Sequence, residues 1–307
     1  MELPGLSGWT VRGCSLRDVA TVLSITTASD LASVGEPDWT EDEVVATLTA
    51  PHLDPAVDAW LAFGPDGTAL AWAYVDNPER GERDNVEVYA VPTAGRPAFG
   101  PLLDLALARI AERGPRIVRA GVVPSETAYV EALTARGFVF RKRHARMTRV
   151  LTGDERPPEP GFGVRAVREE ELPRFHEVLQ TAFADAPDFV ATSYPDWLAA
   201  LAALPSVSRD EWLVAEADGA IVGVLQSADQ GVERGEGWVK NLAVLRGHRG
   251  AGIGGALLRA AFAIYAAKGR TTAGLGVDLT NPTGAYHLYM SAGMTVAFAA
   301  DMYERTG

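Results

Sequence analysis

Arg249-Gly250-Ala251-Gly252-Ile253-Gly254 stands between an apolar run, Val239-Lys240-Asn241-Leu242-Ala243-Val244, and a helix-like segment over 255–268. Glycines let backbone N–H groups close on an anion with no Cβ in the way, and a following helix aims the positive end of its dipole at the same point. Leu257, Leu258, Ala261, Phe262 and Tyr265 have the spacing of one buried helix face, and Lys268-Gly269 ends the pattern as a helix ends. The stretch therefore reads as strand, glycine turn and helix N-terminus, a cradle for pyrophosphate.

Gly250-x-Gly252-x-Gly254 also resembles a dinucleotide-binding fingerprint, but that motif follows the first strand of its βαβ unit and has an acidic residue about 20 positions on. Here the glycines come late, and Asp278, after the next strand, is followed by a different pattern. Residues 272–279 read as a strand, and Asn281-Pro282-Thr283-Gly284-Ala285 opens a short helix carrying Leu288-Tyr289-Met290-Ser291-Ala292-Gly293-Met294. In that order, Leu242-Ala243-Val244, Arg249-x-x-Gly252-x-Gly254, Asn281 and Tyr289-x-x-x-Gly293-Met294 resemble the GNAT superfamily of acyl-CoA-dependent N-acyltransferases.

The resemblance implies a mixed α/β domain with a mostly antiparallel sheet flanked by helices, and acetyl-CoA as co-substrate for transfer to a primary amine of a small molecule or peptide. The strand at Leu242, Ala243 and Val244 would splay from its neighbour and hold the pantetheine arm like an added strand. The Val244 N–H would polarise the thioester oxygen. Arg249, Gly250, Ala251, Gly252, Ile253, Gly254 and Gly255 would hold the pyrophosphate, Asn281 would contribute to the cofactor site, and Tyr289 would protonate the departing thiolate. Many relatives have a carboxylate on the splayed strand, where this chain has Lys240 and Asn241. Glu236, just upstream, and Asp278, at the end of the adjacent strand, remain alternative bases. His287 lies two residues from Tyr289, on another part of the helix.

The 307 residues suit two domains. Residues 151–161, proline-rich and charged, read as a linker between domains at 1–150 and 162–307. A net charge of −12 with scattered acids argues against nucleic acid and is compatible with a cationic amine. The single cysteine, Cys14, excludes an internal disulfide and fits a reducing compartment. The absence of an N-terminal leader pattern or a long apolar run gives the expectation of a cytoplasmic protein without a membrane partner. Five scattered histidines leave no metal site to expect.

The first half repeats the plan of the second. Strands are expected at 9–12, 59–63, 69–75 and 86–91, helices at 16–25 and 102–113, and a capping box at Thr40 and Glu43. Arg136-Gly137-Phe138 echoes Ala292-Gly293-Met294, which puts Leu133 opposite Tyr289. Aligning Ala111-Glu112-Arg113-Gly114 with Ala266-Ala267-Lys268-Gly269 puts Pro97 opposite Gly252 and Phe99 opposite Gly254. Proline has no N–H to donate, so this half is expected to be catalytically silent. It would cover a sheet edge, shape a cleft wall or mediate a homodimer, with Trp39, Trp60 and Trp72 as core or cleft residues. The tandem arrangement is similar to that of mycothiol synthase, which acetylates a cysteinyl amine. A non-catalytic acyl-CoA-binding or regulatory protein is the alternative reading of the whole chain.

Overall fold

The computed structural model describes residues 1–78, 81–114, 116–156, 163–186, 189–202, 208–281 and 284–306. In the first half, β1 (Thr10–Gly13), α1 (Val19–Ser33), α2 (Glu41–Leu48), α3 (Pro55–Asp58), β2 (Ala59–Phe63), β3 (Ala69–Asp76) and β4 (Arg83–Ala90) precede α4 (Phe99–Ala111), β5 (Ile117–Val122), α5 (Thr127–Thr134) and β6 (Val139–Val150). The second half has β7 (Arg165–Ala166), α6 (Leu172–Phe183), α7 (Tyr194–Ala202), β8 (Leu213–Ala217), β9 (Ala220–Ala228) and β10 (Glu236–Val244), then α8 (Ile253–Ala267), β11 (Thr272–Asp278), α9 (Ala285–Ser291) and β12 (Thr295–Thr306).

The capping box starts α2 as its sequence dictates: Thr40 N donates to Glu43 Oε2 at 2.8 Å, and Glu43 N donates to Thr40 Oγ1 at 3.3 Å. Elsewhere the apolar period decides. Trp60 and Ala62 on β2 face a core with Leu102, Leu103 and Ala106 of α4, while Leu61 faces the opposite core with Trp72, Val22 and Val44. Each such large side chain, when fully buried, contributes about 1.5–3 kcal/mol relative to exposure.

The N-terminal unit comprises Met1–Arg143 with Ala299–Gly307, and the C-terminal unit comprises His144–Phe298. The first has strand order β1-β2-β3-β4-β5-β12, and the second β6-β11-β10-β9-β8-β7. Within each, the β4–β5 and β10–β11 pairs are parallel and the other pairs antiparallel. Relative to contiguous halves at 1–150 and 162–307, the last strands are exchanged. The strand expected at 297–303 to close the second half places Asp301 to Thr306 beside β5, and His144 to Val150 of β6 pairs with β11.

Charge explains the exchange. Arg119 and Arg141 each reach Glu304 at 2.9 Å, and Arg143 reaches Asp301 at 2.8 Å, all inside the N-terminal unit. Burial opposes ionisation of Glu304, but the hydrogen bonds from Arg119 and Arg141 prevail and hold its pKa below the usual value. In the C-terminal unit, Arg146 meets Glu236 at 2.6 Å and Arg149 donates to the Ala292 carbonyl at 2.7 Å. Of the expected linker, Leu151 is buried and its N–H donates to Thr271 O at 2.8 Å, while residues 157–161 lie outside the described residues. Among the described residues, no helix is long and apolar enough to cross a membrane.

Candidate functional site

In the C-terminal unit two parallel strands part company. β10 and β11 pair from Glu236 opposite Thr272 to Val239 opposite Leu275, and no further. The cause is a bulge: pairing of β10 with β9 slips between Val239 and Asn241, leaving exposed Lys240 as the extra residue. A bulge bends its strand and increases its twist, which here turns residues 240–244 away from β11. On the other side β10 stays paired with β9 through Val244 opposite Gly223.

The phase of that ladder decides which backbone groups open to the gap. Leu245 N donates to Val222 O at 2.9 Å, so residues 241, 243 and 245 bond to β9. Leu242 and Val244, one residue out of phase, turn their N–H and C=O toward the missing β11 partner. Arg249 takes the Val244 carbonyl through Nε at 3.0 Å, which leaves the Val244 N–H facing the gap. Leu242 offers a second such N–H.

The glycine turn follows directly. Gly250 and Gly252 have φ of 79° and 87°, left-handed values that favour glycine, and Gly252 caps α8. The first helical bond is Ala256 N to Gly252 O at 3.0 Å. Among the described residues, the N–H groups of Gly250 to Gly255 have no acceptor. No side chain caps the helix either, so these donors and the helix dipole offer an anion site. Glycine at 254 also lets Leu288 pack closely: a Cβ there would lie 2.9 Å from Leu288 Cδ2 and 3.9 Å from Val244 Cγ2. Gly223 serves the same end, since its Cβ would meet Ile253 Cγ2 at 2.8 Å. The strand end, the start of α8 and α9 thus meet at one place.

Arg249 is turned back on the protein. Besides Val244, its guanidinium donates to the Ala182 carbonyl at 3.0 Å, at the C-terminal end of α6, and lies 3.6 Å from Asp185. That arrangement fits a cation at a helix C-terminus and fixes the entrance to the turn.

Tyr289 is 8% exposed on α9, next to Leu288. Burial alone pushes its phenol up to about 12, and among the described residues its hydroxyl makes no hydrogen bond. His287 is exposed. Asp278 and Glu236 are separated by the geometry. Asp278 ends β11 beyond the last β10 pair, at the open end of the gap, where its Oδ1 accepts from Thr280 N at 2.8 Å and Thr280 Oγ1 at 2.5 Å. Glu236 is buried at the closed end of β10, paired with Arg146. Eight residues of strand put it about 26 Å from Val244 at the usual rise. Asn281 donates its N–H to Asp278 O at 3.2 Å at the start of the loop to α9. Pro282 and Thr283 lie outside the described residues.

The gap has one polar element the sequence reading did not single out. Gln226, 1% exposed on β9, accepts from Asn241 Nδ2 at 2.7 Å beside the bulge. The adjacent polar pair Gln226-Ser227 in an otherwise apolar strand was its only signal. No group of three or more His, Cys, Asp or Glu side chains among the described residues converges as a metal site.

An acetyltransferase (GNAT) domain matches residues 208–296, from before β8 to just past α9. Residues 208–296 are a GNAT acetyltransferase domain. The solved structures similar to the chain include a GCN5-related N-acetyltransferase from Sphaerobacter thermophilus, with TM-score 0.80, 25% identity, and coverage of 98% of this chain and 96% of that one. A tandem GNAT protein from the clavulanic acid biosynthesis pathway aligns with TM-score 0.62 and 15% identity over 97% of this chain and 98% of its own. A GCN5-related glucosamine N-acetyltransferase region of a fungal multi-domain β-N-acetylglucosaminidase aligns at TM-score 0.63 and 14% identity, over 97% of this chain and 38% of that protein. At these identities the last two show the fold alone. No curated protein sequence matches the chain.

The N-terminal unit has the same opening without the cradle. β4 and β5 pair only from Arg83 opposite Ile117 to Val86 opposite Ala120, so they too diverge. The end of α5 is the same as that of α9: Phe138 N donates to Leu133 O at 3.2 Å as Met294 N does to Tyr289 O at 3.1 Å, which keeps Leu133 opposite Tyr289. The turn differs. It runs over 91–98 from the end of β4 to the cap of α4 at Ala98, the same length as 245–252 from the end of β10 to the cap Gly252, but 96–98 are already wound into a helical turn. Counted from the strand ends, Ala98 stands opposite Gly252, one residue from the expected Pro97, with φ of −76° where Gly252 has 87°; Pro97 lies in the preceding helical turn and Phe99 opens α4. This turn uses its own donors, with Ala94, Gly95 and Ala98 N bonded to Pro92, Val91 and Gly95 O at 2.7, 2.8 and 3.0 Å. Phe99 is buried and stacked on Tyr129 at 4.9 Å.

Proposed function

We propose that the C-terminal unit is an acetyl-CoA-dependent N-acetyltransferase acting on a primary amine of a small molecule or peptide. The observation that carries this reading is the meeting of two unpaired sets of backbone groups: the cleft-facing edge of Leu242 and Val244, and the N–H groups of Gly250 to Gly255 at the start of α8. The first suits an extended amide-bearing arm, the second a pyrophosphate, and acetyl-CoA joins both in one molecule.

When bound, acetyl-CoA supplies an acyl group activated as a thioester. The Val244 N–H, or that of Leu242, donates to the carbonyl oxygen as charge develops there, a contribution of about 3–4 kcal/mol where such donors are fixed in advance. Tyr289 donates its phenolic proton to the sulfur as the carbon–sulfur bond breaks. Its raised pKa keeps the proton in place until that moment. Asp278, at the open end of the gap, takes a proton from the substrate ammonium directly or through water, which frees the nitrogen lone pair to attack the thioester carbon, and its Asx turn with Thr280 fixes its position. Glu236, held by Arg146 at the closed end, serves structure.

The test is to incubate the protein with acetyl-CoA and a panel of primary amines and to follow free thiol. Turnover that Tyr289→Phe suppresses is the expected result. Saturable acetyl-CoA binding without turnover on any amine instead favours a non-catalytic acyl-CoA-binding protein, a reading supported by the absence of a carboxylate over residues 240–244.

A further inference from the structure

The N-terminal unit, which has no cradle, holds an acid that nothing in the fold uses. Glu87 stands three residues before the end of β4, as Asn241 stands three residues before the end of β10. Tyr74 is opposite it on β3, and on its other side Gly121 of β5 brings no side chain, so that a Cβ there would lie 3.8 Å from Glu87 Oε1. Glycine at 121 leaves open the space in front of the carboxyl.

The same sheet face is aromatic. Trp72, opposite Tyr89, stacks on Tyr74 at 4.6 Å and on Tyr89 at 5.6 Å, and Trp39 stands edge-on to Trp72 and Tyr89 at 5.4 and 5.7 Å. Trp72 and Tyr74 are buried, whereas Trp39, Tyr89 and Glu87 keep some exposed surface. Aromatic rings and a carboxyl therefore share one sheet face that solvent partly reaches.

Among the described residues, Glu87 has neither a hydrogen-bond partner nor a cation beside it. Burial, helped by the charge of Asp76, raises its pKa to about 8. The nearby basic groups are committed elsewhere: His52 to Asp76 at 2.6 Å and Arg119 to Glu304 at 2.9 Å. The remaining titratable groups felt here, Asp30, Asp38, Tyr74 and Tyr89, together with Tyr129 from the opposite core, are acids. Tyr129 adds a second orphan. It is 2% exposed, its hydroxyl has no partner, and burial followed by the charge of Glu87 raises its pKa. A carboxyl and a phenol held without partners cost stability unless something else satisfies them.

We propose that this face binds a small organic ammonium ion with an aromatic or apolar body, its charge against Glu87 and its body against Tyr89 and Trp39. A carboxylate pairs with the ammonium, and aromatic faces attract cations by about 0.5–2 kcal/mol each. Near neutrality the bound ion displaces the Glu87 proton to solvent, leaving an ammonium–carboxylate pair. The site is separate from the acetyl-transfer site and does not depend on turnover there.

Calorimetric titration of the full chain with phenethylammonium chloride at pH 7, without acetyl-CoA, tests this. The neutral isostere 2-phenylethanol is the control. Saturable amine binding is expected, with a heat that differs between Tris and phosphate buffers by close to one released proton. Glu87→Gln is expected to weaken the amine at least tenfold and abolish the buffer difference, without affecting 2-phenylethanol. Tyr89→Leu is expected to weaken both. Cooperative melting of each variant establishes folding. Unchanged amine affinity in folded Glu87→Gln, or absence of saturable amine binding by the folded wild type, overturns the proposal.

Discussion

Gly254 and Leu288 approach so closely that any side chain at 254 displaces Leu288: a Cβ would lie 2.9 Å from its Cδ2. Leu288 precedes Tyr289 on α9, so the start of the anion-binding helix and the position of the proton donor are mechanically coupled. Gly254→Ala meets only the end of a flexible side chain and should fold with a change in stability within about 1 kcal/mol. Gly254→Val adds branches where the backbone must approach an anion, and is expected to raise the KM for acetyl-CoA at least tenfold. Steady-state kinetics on the two variants checks the ordering.

Tyr289→Phe removes a hydroxyl that has no hydrogen bond among the described residues, so it should melt within a few degrees of the wild type while kcat falls by about 100 to 10,000-fold. The sign of the pH effect on stability follows from burial, which raises the phenol from 10 to about 12. The unfolded chain loses this proton first, so Tyr289 reduces stability as pH rises from 10 toward 12. The acid accordingly remains protonated across the neutral range. A loss of activity below pH 10 that persists in the residual rate of Tyr289→Phe is expected to belong to another group.

Glu87 gives a stability signature of opposite chemical origin to a salt bridge. Its pKa is raised from 4.5 to about 8, so the folded state keeps a proton that the unfolded state releases. Its contribution is fully present below pH 4.5 and is lost progressively as pH rises to about 8. The melting-temperature advantage of Glu87→Gln over the wild type should therefore grow across that interval. A constant difference across the same pH range is the opposing result.

The two carboxylates at the ends of the gap separate by mutation. Asp278→Asn keeps an oxygen to accept from Thr280 and removes the base, so kcat is expected to fall at least tenfold with little change in melting temperature. Glu236→Gln leaves Arg146 beside a neutral group in a mostly buried place, and is expected to cost about 1–3 kcal/mol of stability while kcat changes less than twofold. Melting curves and single-turnover rates distinguish the two.

Much of this site was legible because local chemistry imposes it. Gly250 and Gly252 occupy positive φ, Thr40 and Glu43 form their capping box, and the apolar period over 257–265 lies along α8. Nothing local announces which partner a strand chooses. β6 carries Arg141, Lys142, Arg143, His144, Arg146 and Arg149 and does not look like a strand until Glu304, Asp301 and Glu236 are seen opposite its arginines. The same limit applied to the turn after β4. Counting back from the helix end put Pro97 opposite Gly252, whereas the paired ends of β4 and β10 put Ala98 there, one residue on. Glu87 was missed for the converse reason, since its significance lies in having no partner, which only the packed structure displays.

Calorimetric titration of the full chain with acetyl-CoA measures the asymmetry between the two units most directly. One site per chain is expected, lost in Gly252→Pro because proline cannot adopt the φ of 87° that opens α8, with circular dichroism establishing that the variant folds. Two sites per chain, or one site undiminished in folded Gly252→Pro, would contradict a single acetyl-CoA cradle at the start of α8.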